Sequence, residues 1–446
     1  MSAGAGQKQR IVILGGGFGG MRAAQALERA PVEITLLDRR NFHLFQPLLY
    51  QVATGSLSPG EIAAPLRSVF SRQKNVQVLL GDAVDLNPAA RRVILRDQAE
   101  IAYDSLIVAT GSQPSYYGHD DWRRFGPSLK TVEDATTIRH KLFGAFERAE
   151  RAESGEEVRP WLTFVIVGAG ATGLELAGAL AEIARHTLRH DFRRIRPQEA
   201  RILLIEGGPR VLPAYPEILS ARAERLVTGL GVEVMKNVHV TKIDDRGVSY
   251  RRGEEILHIA ARTVLWAGGV QATEFGRKLA ERTEAETDRG GRIKVNPDLT
   301  IPKYPQIFVI GDLALALRHD GLPLPGVAPV AMQEGSFVAR VIRTRLAGRE
   351  EAAPFRYRDK GDLAVIGRAA AVANIFGIRL GGISAWLVWL FVHLMYIVEF
   401  QNRVLVFIKW GFEYLTFSRG ARLITGVDAE DSTRRPPDPE GGTNVR

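Results

Sequence analysis

The sequence predicts an α/β protein with two Rossmann-like units and a C-terminal helical segment that associates with a membrane. Three observations lead to this fold class. A glycine-rich turn between a strand and a helix occurs near the start of the chain, and a second one follows about 150 residues later. Towards the C-terminus the chain becomes rich in Trp, Phe and Leu. Strand–turn–helix–strand units of this kind build doubly wound parallel sheets.

The first unit begins with an apolar strand, Ile11–Leu14. It runs into the turn Gly15–Gly20 and an alanine-rich helix near Met21–Arg29. A second strand, Val32–Leu37, then ends at Asp38. All parts of a dinucleotide-binding unit are therefore present in the expected order.

Each glycine of this first turn has a separate role in the G-x-G-x-x-G pattern. Gly15 permits the tight turn, Gly17 lets the backbone approach a pyrophosphate, and Gly20 lets helix and strand pack closely. The helix N-terminus offers free N–H groups to the phosphates. Asp38 stands where a carboxylate accepts hydrogen bonds from a ribose. The alternative is a turn with a structural role alone.

The same unit returns in the middle of the chain. Its parts are strand Leu162–Val167, turn Gly168–Gly173, helix Leu174–Ala184, a basic insertion at His186–Arg196 and strand Arg201–Ile205. The charged, helix-prone stretch Phe146–Arg159 between the two units is predicted to be a linker. The sequence therefore predicts two nucleotide-binding folds in one chain.

In this second turn Gly168, Gly170 and Gly173 repeat the pattern, and Glu206 supplies the acidic residue after the second strand. An acidic residue there favours NADH, because it repels the 2′-phosphate of NADPH. Arg210 lies close by in sequence and weakens that preference.

Two further motifs favour FAD in the first fold. Ala109-Thr110-Gly111 follows the apolar strand Ser105–Val108, a pattern typical of flavoprotein crossovers. Gly311-Asp312 ends another apolar strand, Gln306–Ile310, where the aspartate can bind the ribityl chain. An isolated Gly-Asp pair is often only a turn.

Composition excludes one branch of redox chemistry. The chain of 446 residues contains no cysteine, so it cannot form disulfides, Cys-ligated zinc sites or iron–sulfur clusters. Electron relay through a cysteine pair is excluded as well. No metal ligand set is evident in the sequence.

The termini and the charge bear on location and partners. The short polar stretch Met1–Arg10 lacks the features of a signal peptide, which favours the cytoplasm. The net charge of +9 suits nucleic acid or an anionic membrane surface, or it indicates no specific partner. No nucleic-acid-binding motif is present, so we expect the membrane.

Together these motifs resemble those of type II NADH dehydrogenases, which are single-subunit NADH:quinone oxidoreductases that do not pump protons. The resemblance covers about Gln9 to Leu423. Its most specific parts are Phe42–Ala53 and the aromatic C-terminus. The remaining matches are Gly15–Gly20, Ala109–Gly111, Gly168–Glu175, Trp266–Gly269, Gly311-Asp312, Ala328–Gly335 and Asp359–Gly361.

The resemblance implies non-covalently bound FAD, NADH as substrate, a membrane quinone (ubiquinone or menaquinone) and a homodimer. It also implies the glutathione-reductase-like arrangement, in which the NAD domain is inserted into the FAD domain. The predicted divisions are 1–120 and 296–367 for FAD, 121–295 for NAD, 368–430 for amphipathic membrane-anchoring helices and 431–446 for a disordered tail.

Site residues follow from the resemblance position by position. The expected FAD contacts are Gly15, Gly17, Phe18, Gly19, Gly20, Asp38, Arg39, Pro47, Leu48, Gln51, Ala83, Thr110, Gly111, Gly311, Asp312, Ala331 and Met332. The expected NAD contacts are Gly168, Gly170, Thr172, Gly173, Glu175, Glu206, Gly268 and Gly269. The expected quinone contacts are Ala328, Pro329 and Gln333, and the catalytic candidates are Glu175 and Gln333.

Three of these assignments have alternatives. Glu175 is expected near nicotinamide and flavin, but a carboxylate near a helix N-terminus is also favoured by the helix dipole. Pro329 stands where many family members have glutamine, which puts one quinone hydrogen bond in doubt. Gln333 is expected to touch quinone, or else to be a helix residue near the flavin.

The C-terminal segment contains two apolar runs, Ile383–Val398 and Val404–Phe417. Three readings are open: a transmembrane helix, a buried core helix, or a helix pair lying in the membrane interface. The aromatic bias favours the interface, with Arg403, Lys409, Arg419 and Arg422 meeting anionic headgroups. His393 is expected to be a packed or interfacial histidine.

The sequence thus predicts hydride transfer from NADH to FAD, followed by reduction of a quinone at the cytoplasmic face of the inner membrane. A soluble NADH-dependent reductase of a small carrier such as ferredoxin or rubredoxin is the first alternative, because it needs no apolar C-terminus. A flavin-bound redox sensor resembling apoptosis-inducing factor is the non-enzymatic one.

Preference for NADH over NADPH tests the assignment of Glu206. In Glu206→Gln the repulsion of a 2′-phosphate is lost, so the ratio of kcat/KM for NADH to that for NADPH should fall about tenfold. Steady-state kinetics with both nucleotides give this ratio. Equal efficiency of the two nucleotides in the wild type would show that Glu206 does not discriminate.

Overall fold

The structure is a computed structural model, and it describes residues 8–349 and 353–425. The predicted tail at 431–446 lies outside the described residues.

The first sheet has six strands and carries the first glycine turn. Five strands are parallel, and the short edge strand Thr300–Ile301 pairs antiparallel with its neighbour. From that edge the order continues through Tyr304–Val309, Ser105–Val108, Gln9–Leu14, Val32–Asp38 and Val76–Leu80. The predicted strands are thus confirmed to within two residues.

Both faces of this sheet are covered, as the continuous apolar run of its first strand requires. Ile11 and Ile13 face the helices Phe18–Ala26 and Ala328–Leu346. Val12 and Leu14 face the opposite side. That side is covered by helix Glu274–Thr283 and a sheet of three antiparallel strands, Ala83–Asn87, Arg92–Leu95 and Glu100–Ala102.

The second sheet has four parallel strands and carries the second glycine turn. Its order is Val232–Met235, Arg201–Ile205, Thr163–Val167 and Thr263–Trp266. One face packs against helices Val132–Arg151, Ala171–Glu182 and Glu217–Gly229. The other packs against antiparallel strands His239–Asp244, Gly247–Arg252 and Glu255–Ala260.

The predicted linker at Phe146–Arg159 is wrong in its first half. Phe146 and Ala149 are buried in helix Val132–Arg151, and the Phe146 ring lies 5.2 Å from that of Phe164 in the second sheet. The charges of this stretch lie on the outer face of an amphipathic helix, so composition alone suggested a linker.

The C-terminal segment begins with strands rather than helices. Residues 368–382 were predicted to be helical, but antiparallel strands Asp362–Gly367, Ala370–Ile375 and Ile378–Gly382 occupy this region. A Cβ atom on Gly178 would lie 1.5 Å from the Ile366 carbonyl, so this sheet packs directly on helix Ala171–Glu182. Only Ile383–Tyr396 and Phe400–Thr416 are helices.

Shorter elements complete the described chain. The remaining strands are Phe42–Leu44, Ala63–Pro65, Ser112–Pro114, Val270–Ala272, Ile293–Lys294 and Ala314–Leu315. The remaining helices and single turns are Gln46–Leu48, Leu49–Ala53, Pro59–Ile62, Leu66–Val69, Asp120–Arg124, Gly155–Trp161, Ile183–Thr187, Pro197–Glu199 and Gly311–Leu313.

The two C-terminal helices each bury one side and expose an apolar stripe. Ala385, Trp389, Val406 and Trp410 are buried in the main core. The exposed stripe, called here the apolar face, consists of Ile383, Leu387, Phe391, Met395, Phe400, Val404, Leu405, Phe407, Ile408, Phe412 and Leu415. Of the residues that the structure describes, no helix is both long and apolar enough to cross a bilayer.

The cations predicted to meet headgroups have partners within the protein. Arg403 donates to the Ile397 carbonyl at 2.7 Å. Lys409 pairs with Glu61 at 2.5 Å, Arg422 with Asp191 at 2.5 Å and Arg419 with Glu182 at 3.1 Å. Arg419 is also buried. The sequence prediction treated each of these cations as free in solvent, whereas each has a partner within the protein; their contact with headgroups stays a prediction.

Candidate active site

A cleft of about 650 Å³ lies between the two glycine turns. The N-termini of three helices meet at it, at Phe18, Ala171 and Ala328. A helix N-terminus carries free N–H groups and a partial positive charge. The cleft is therefore suited to an anionic, extended ligand.

The two glycine turns have the same geometry. Gly15 and Gly168 have φ of +104° and +100°, and a Cβ on either would lie 2.4 Å from a carbonyl oxygen of a neighbouring strand end. A Cβ on Gly20 would lie 1.9 Å from the Gly15 oxygen, which closes helix on strand. A Cβ on Gly17 would meet nothing within 4 Å. The space at Gly17 is thus open for a pyrophosphate, as the pattern predicts.

The acidic residue of each unit bends back onto its glycine turn. Asp38 accepts hydrogen bonds from the N–H groups of Gly16 at 2.6 Å and Arg40 at 2.7 Å. Glu206 accepts from Ala169 and Gly208, both at 2.8 Å. The carboxylates are held at the turns, where the riboses of dinucleotides are expected.

Asp312 lies in the cleft and has two polar partners. Ser112 donates to its carboxylate at 2.7 Å, and the Lys130 ammonium lies 3.1 Å away. Burial acts to raise the pKa of Asp312, but Lys130 and Ser112 outweigh it and hold the pKa below the ordinary value. Asp312 is therefore an anionic acceptor, as a ribityl contact requires.

Glu334 is a buried carboxyl next to this aspartate. The Gly311 N–H donates to the Glu334 Oε2 at 2.5 Å, and Glu334 is only 1% exposed. Burial raises the pKa of Glu334 to about 8. The side chain therefore carries a proton at neutral pH and anchors the Gly311-Asp312 turn to helix Ala328–Leu346.

The segment Phe42–Ala53 forms one wall of the cleft. Pro47 lines it, whereas Leu48 is fully buried beneath. Gln51 does not line the cleft but lines a second, smaller cavity beside it; it donates to the Tyr50 hydroxyl at 2.9 Å and accepts from the Trp410 indole at 2.8 Å. Gln51 thus links this segment to the last helix, and its predicted flavin contact stays a prediction.

Glu175 lies between the cleft and a second, smaller cavity of about 110 Å³, because it lines both. Tyr50 also lines both the cleft and the second cavity. Burial raises the pKa of Glu175 well above its ordinary value, which favours the protonated form of this carboxyl.

The second cavity combines aromatic rings with charged groups. Glu182 accepts from the backbone N–H of Arg368 and from the Arg419 guanidinium at 3.1 Å. Burial raises the pKa of Glu413 to about 7, against the opposing effects of Arg419, Ser56 and Lys409. Trp386, Trp389, Trp410, Tyr414 and Phe417 complete the walls.

The predicted quinone residues separate into two groups. Ala328 and Pro329 line the cleft. The Gln333 amide instead donates to the Arg358 carbonyl at 3.0 Å and accepts from the Arg358 N–H at 2.9 Å. Both polar ends of Gln333 are therefore occupied by backbone, which favours a structural role over quinone contact.

Most of the other predicted residues lie at the cleft. Its lining includes Gly15, Gly17, Phe18, Gly19, Asp38, Arg39, Pro47, Thr110, Gly111, Thr172, Gly311, Asp312, Ala331 and Met332. Gly20, Leu48, Gln51 and Ala83 do not line it, nor do Gly168, Gly170, Gly173, Glu206, Gly268 and Gly269. Ala83 begins a strand of the covering sheet, and the second set surrounds the second turn beside the cleft.

Several residues of the site were not found from sequence. Lys130 and Ser112 line the cleft but belong to no fixed spacing pattern. Tyr50 also lines the cleft, and Glu334 holds the Gly311 N–H behind it. These two lie within the stretches Phe42–Ala53 and Ala328–Gly335 that carry the resemblance, but neither was assigned a role from the sequence.

His393 lines the cleft from the first C-terminal helix. Its Nδ1 lies 2.8 Å from the Trp389 carbonyl, and its ring packs on Trp389 and Phe45. Burial lowers the pKa of His393 to about 4, so the imidazole is neutral. Residues 8–349 and 353–425 contain no group of carboxylates and histidines able to hold a metal ion.

Comparison with known proteins decides the family. The model for the pyridine nucleotide-disulphide oxidoreductases matches residues 9–335, and the model for the NDH2 C-terminal domain matches residues 360–419. The chain is 43% identical to the type II NADH:quinone oxidoreductase Ndh of Mycobacterium tuberculosis, over 96% of this chain and 93% of that one. The chain belongs to the type II NADH:quinone oxidoreductases.

Other members of this family support the assignment. The demethylphylloquinone reductase NdbB of Synechocystis is 29% identical, over 90% of this chain and 96% of its own. The NDH2 structure from Plasmodium falciparum in complex with NADH superposes with a TM-score of 0.83 at 20% identity. It covers 94% of this chain and all of that one, which shows the shared fold. Like others of its family, this chain is a flavin-dependent oxidoreductase.

Substitution at Gly17 tests the pyrophosphate position. Gly17→Val should abolish copurifying flavin absorbance while the protein still folds, because the new side chain fills open space in the cleft. The melting temperature should match that of the deflavinated wild type. Gly20→Val is the matched comparison, and it should fail to fold because its Cβ meets backbone. Full flavin content in Gly17→Val would refute this position.

The buried proton of Glu334 predicts a pH-dependent stability. The folded pKa of about 8 exceeds the ordinary 4.5, so the native state retains a proton that the unfolded chain loses. Stability from this group therefore falls as pH rises from about 4.5 to about 8. Glu334→Gln should remove that decline, and its melting temperature should gain on wild type by several degrees across the window.

Thermal melts at several pH values measure this effect. Exposed Glu255→Gln is the control, and its difference from wild type should not vary with pH. A constant difference for Glu334→Gln would mean that the buried carboxyl is ionised in the native protein.

Proposed function

We propose that this chain oxidises NADH and reduces a membrane quinone, with the residues of the cleft in the roles given below. The overall reaction is NADH + H⁺ + quinone → NAD⁺ + quinol. FAD, when bound, supplies the two-electron chemistry that accepts a hydride from NADH and returns the electrons to quinone. The protein binds, orients and supplies protons.

The two glycine turns hold the dinucleotides. The open space at Gly17 and the free N–H groups of helix Phe18–Ala26 receive the FAD pyrophosphate, and the second turn receives that of NADH. Asp312 would orient the ribityl chain, and Lys130 balances the negative charge of Asp312. Thr172 and Glu175 line the shared cleft, and they would contact the nicotinamide there.

Glu175 is the residue best placed to hold the reaction's proton. The reaction consumes one proton, and desolvation raises the pKa of this carboxyl well above its ordinary value, which favours the protonated form. It borders both the cleft and the charged second cavity. A general acid needs this combination of a raised pKa and direct access to the reacting centre.

The observation that carries the quinone assignment is the double role of the helix Ile383–Tyr396. Val392, His393 and Tyr396 line the cleft on one side of this helix. Leu387, Phe391 and Met395 belong to the apolar face on the other side. A lipid-soluble acceptor held at that face is therefore one helix thickness from the cleft.

We assign the apolar face to the membrane interface. Exposed apolar patches larger than a few hundred Å² mark protein or membrane contacts, and this one is built from i, i+4 stripes on two helices. The protein is then peripheral, at the cytoplasmic face of the inner membrane. The homodimer that the family resemblance implies remains part of the proposal.

A soluble reductase of ferredoxin or rubredoxin is the alternative function. It would use the same two nucleotide sites, but its carrier would dock through charged groups rather than require exposed Phe and Leu stripes. The discriminating experiment measures NADH oxidation by purified, detergent-extracted protein with a short-chain quinone, and then with a ferredoxin. Turnover with ferredoxin alone would overturn the quinone assignment.

The apolar face can be tested without truncation. Because the same helices bury Trp389 and Trp410, deleting them would also disturb the cofactor wall. Phe412→Asn with Leu415→Asn removes exposed apolar area only, since these side chains are 60% and 79% exposed. Binding to vesicles should weaken at least about tenfold, given ~1.5–3 kcal/mol per apolar side chain fully buried in lipid.

Reduction of long-chain quinone in vesicles should fall in parallel, while reduction of ferricyanide in solution should not change. The matched control replaces exposed Ile256 and Leu322, which lie outside the C-terminal helices. Unchanged vesicle binding in Phe412→Asn/Leu415→Asn would place the membrane contact elsewhere.

A further inference from the structure

The basic insertion of the second unit lies beside the C-terminal end of the apolar face. The His186 ring stacks on Phe417 with centroids 4.8 Å apart, and the Thr187 hydroxyl donates to the Phe417 carbonyl at 3.2 Å. Arg422 pairs with Asp191 at 2.5 Å. The insertion is thus attached to the chain directly after helix Phe400–Thr416.

The loop is anchored by its backbone and its apolar residues. Leu188 and Ile195 are buried, and Phe192 packs against Phe146. The Glu150 carboxylate accepts hydrogen bonds from three successive N–H groups, those of Arg193, Arg194 and Ile195, at 2.8–3.0 Å. The loop therefore has a defined conformation, and among its arginine side chains that of Arg193 adds one further contact, a hydrogen bond to the His190 carbonyl at 2.9 Å.

Three of these side chains are exposed. Arg189, Arg193 and Arg194 stand at the surface, and within the described part of the chain none forms an ion pair with a carboxylate. Two acidic groups lie nearby: Asp191 pairs with Arg422, and Glu150, which accepts from the loop's own N–H groups, also interacts electrostatically with Arg194. Three arginines beside this one remaining carboxylate give the loop an excess of positive charge.

Apolar side chains connect this charge to the apolar face. Phe412 and Leu415 are exposed on the last two turns of the helix, and Leu423 and Ile424, next to Arg422, are 63% and 43% exposed. A membrane surface has a matching arrangement, because its apolar acyl chains lie beneath a layer of charged phosphates. A cationic loop at the edge of an apolar surface fits that arrangement.

We propose that Arg189, Arg193 and Arg194 form a binding surface for the phosphate headgroups of an anionic phospholipid bilayer. This inference rests on the proposed membrane association and names the group that gives it charge selectivity. Guanidinium groups bind phosphate oxygens in pairs. The cations of the C-terminal segment are less available for this role, because Arg403 and Lys409 have partners within the protein and Arg419, after the last helix, is buried and paired with Glu182.

The test compares two triple variants of the FAD-loaded, full-length protein. Arg189→Gln/Arg193→Gln/Arg194→Gln removes the proposed surface. Arg246→Gln/Arg251→Gln/Arg252→Gln makes the same change in net charge on the exposed antiparallel sheet of the second unit. Sedimentation with phosphatidylcholine vesicles, with and without phosphatidylglycerol, measures the affinity.

Wild type and control should bind the anionic vesicles more tightly than the neutral ones, and the loop variant should lose this difference. Basic residues near a surface contribute enough that removing three weakens binding up to about a hundredfold. High salt should abolish the difference in wild type. All three proteins should keep the same flavin content and the same NADH:ferricyanide activity.

Equal affinity of the loop variant and wild type for anionic vesicles would overturn the proposal. So would a change in oligomeric state in the loop variant without a change in vesicle binding, since the loop would then contact a second copy. Loss of quinone reduction by wild type in detergent is a separate outcome, because it would refute the proposed function and leave the lipid contact standing.

Discussion

The close backbone approach at the two glycine turns is the constraint on which the site depends. At Gly15 and Gly168 the carbonyl oxygen at the end of a neighbouring strand lies where a Cβ atom would otherwise be. At Gly20 and Gly173 the carbonyl oxygen of the first glycine of the same turn lies there. Each helix can then start directly at the end of its strand, with its N–H groups free. Two such helix starts, with a third at Ala328, surround one cleft and give it a positive potential.

Buried charge in the site is compensated locally, and the compensation links the domains. Lys130, which precedes the second unit, pairs with Asp312 at the end of the first. Arg419, after the last helix, pairs with Glu182 of the second unit. It also donates to Thr54, which directly follows the segment Phe42–Ala53. Removing one partner of such a pair leaves an unpaired buried charge, which is costly. For Glu334 burial raises the pKa to about 8, and for Glu175 it raises the pKa well above the ordinary value, so in both carboxyls the protonated form is favoured.

The C-terminal helices have two sides with different surroundings. On the inner side Val392, His393 and Tyr396 line the cleft, and the Trp410 indole donates to Gln51 of the segment Phe42–Ala53. The outer side is the apolar face, with the loop of Arg189, Arg193 and Arg194 at its end. Under the proposed membrane association, this attachment of the apolar face to the wall of the cleft would hold a lipid-soluble acceptor close to the site.

Local patterns in the sequence determined the two Rossmann-like units, their glycine roles, the acidic residues at the strand ends and the apolar character of the C-terminus. Such patterns are short-range, because a turn, a helix start and a strand end lie within a few residues of one another. Tertiary structure alone decided what each polar side chain binds. Gln333 and Gln51 were expected to contact ligands. In the structure Gln333 forms a hydrogen bond with the Arg358 backbone, and Gln51 forms one with the Trp410 indole. The cations expected at headgroups have partners within the protein. The exposed arginines Arg189, Arg193 and Arg194 belong to a loop about 200 residues earlier in the chain. Partners so distant in sequence leave no spacing signal, since only packing brings them together.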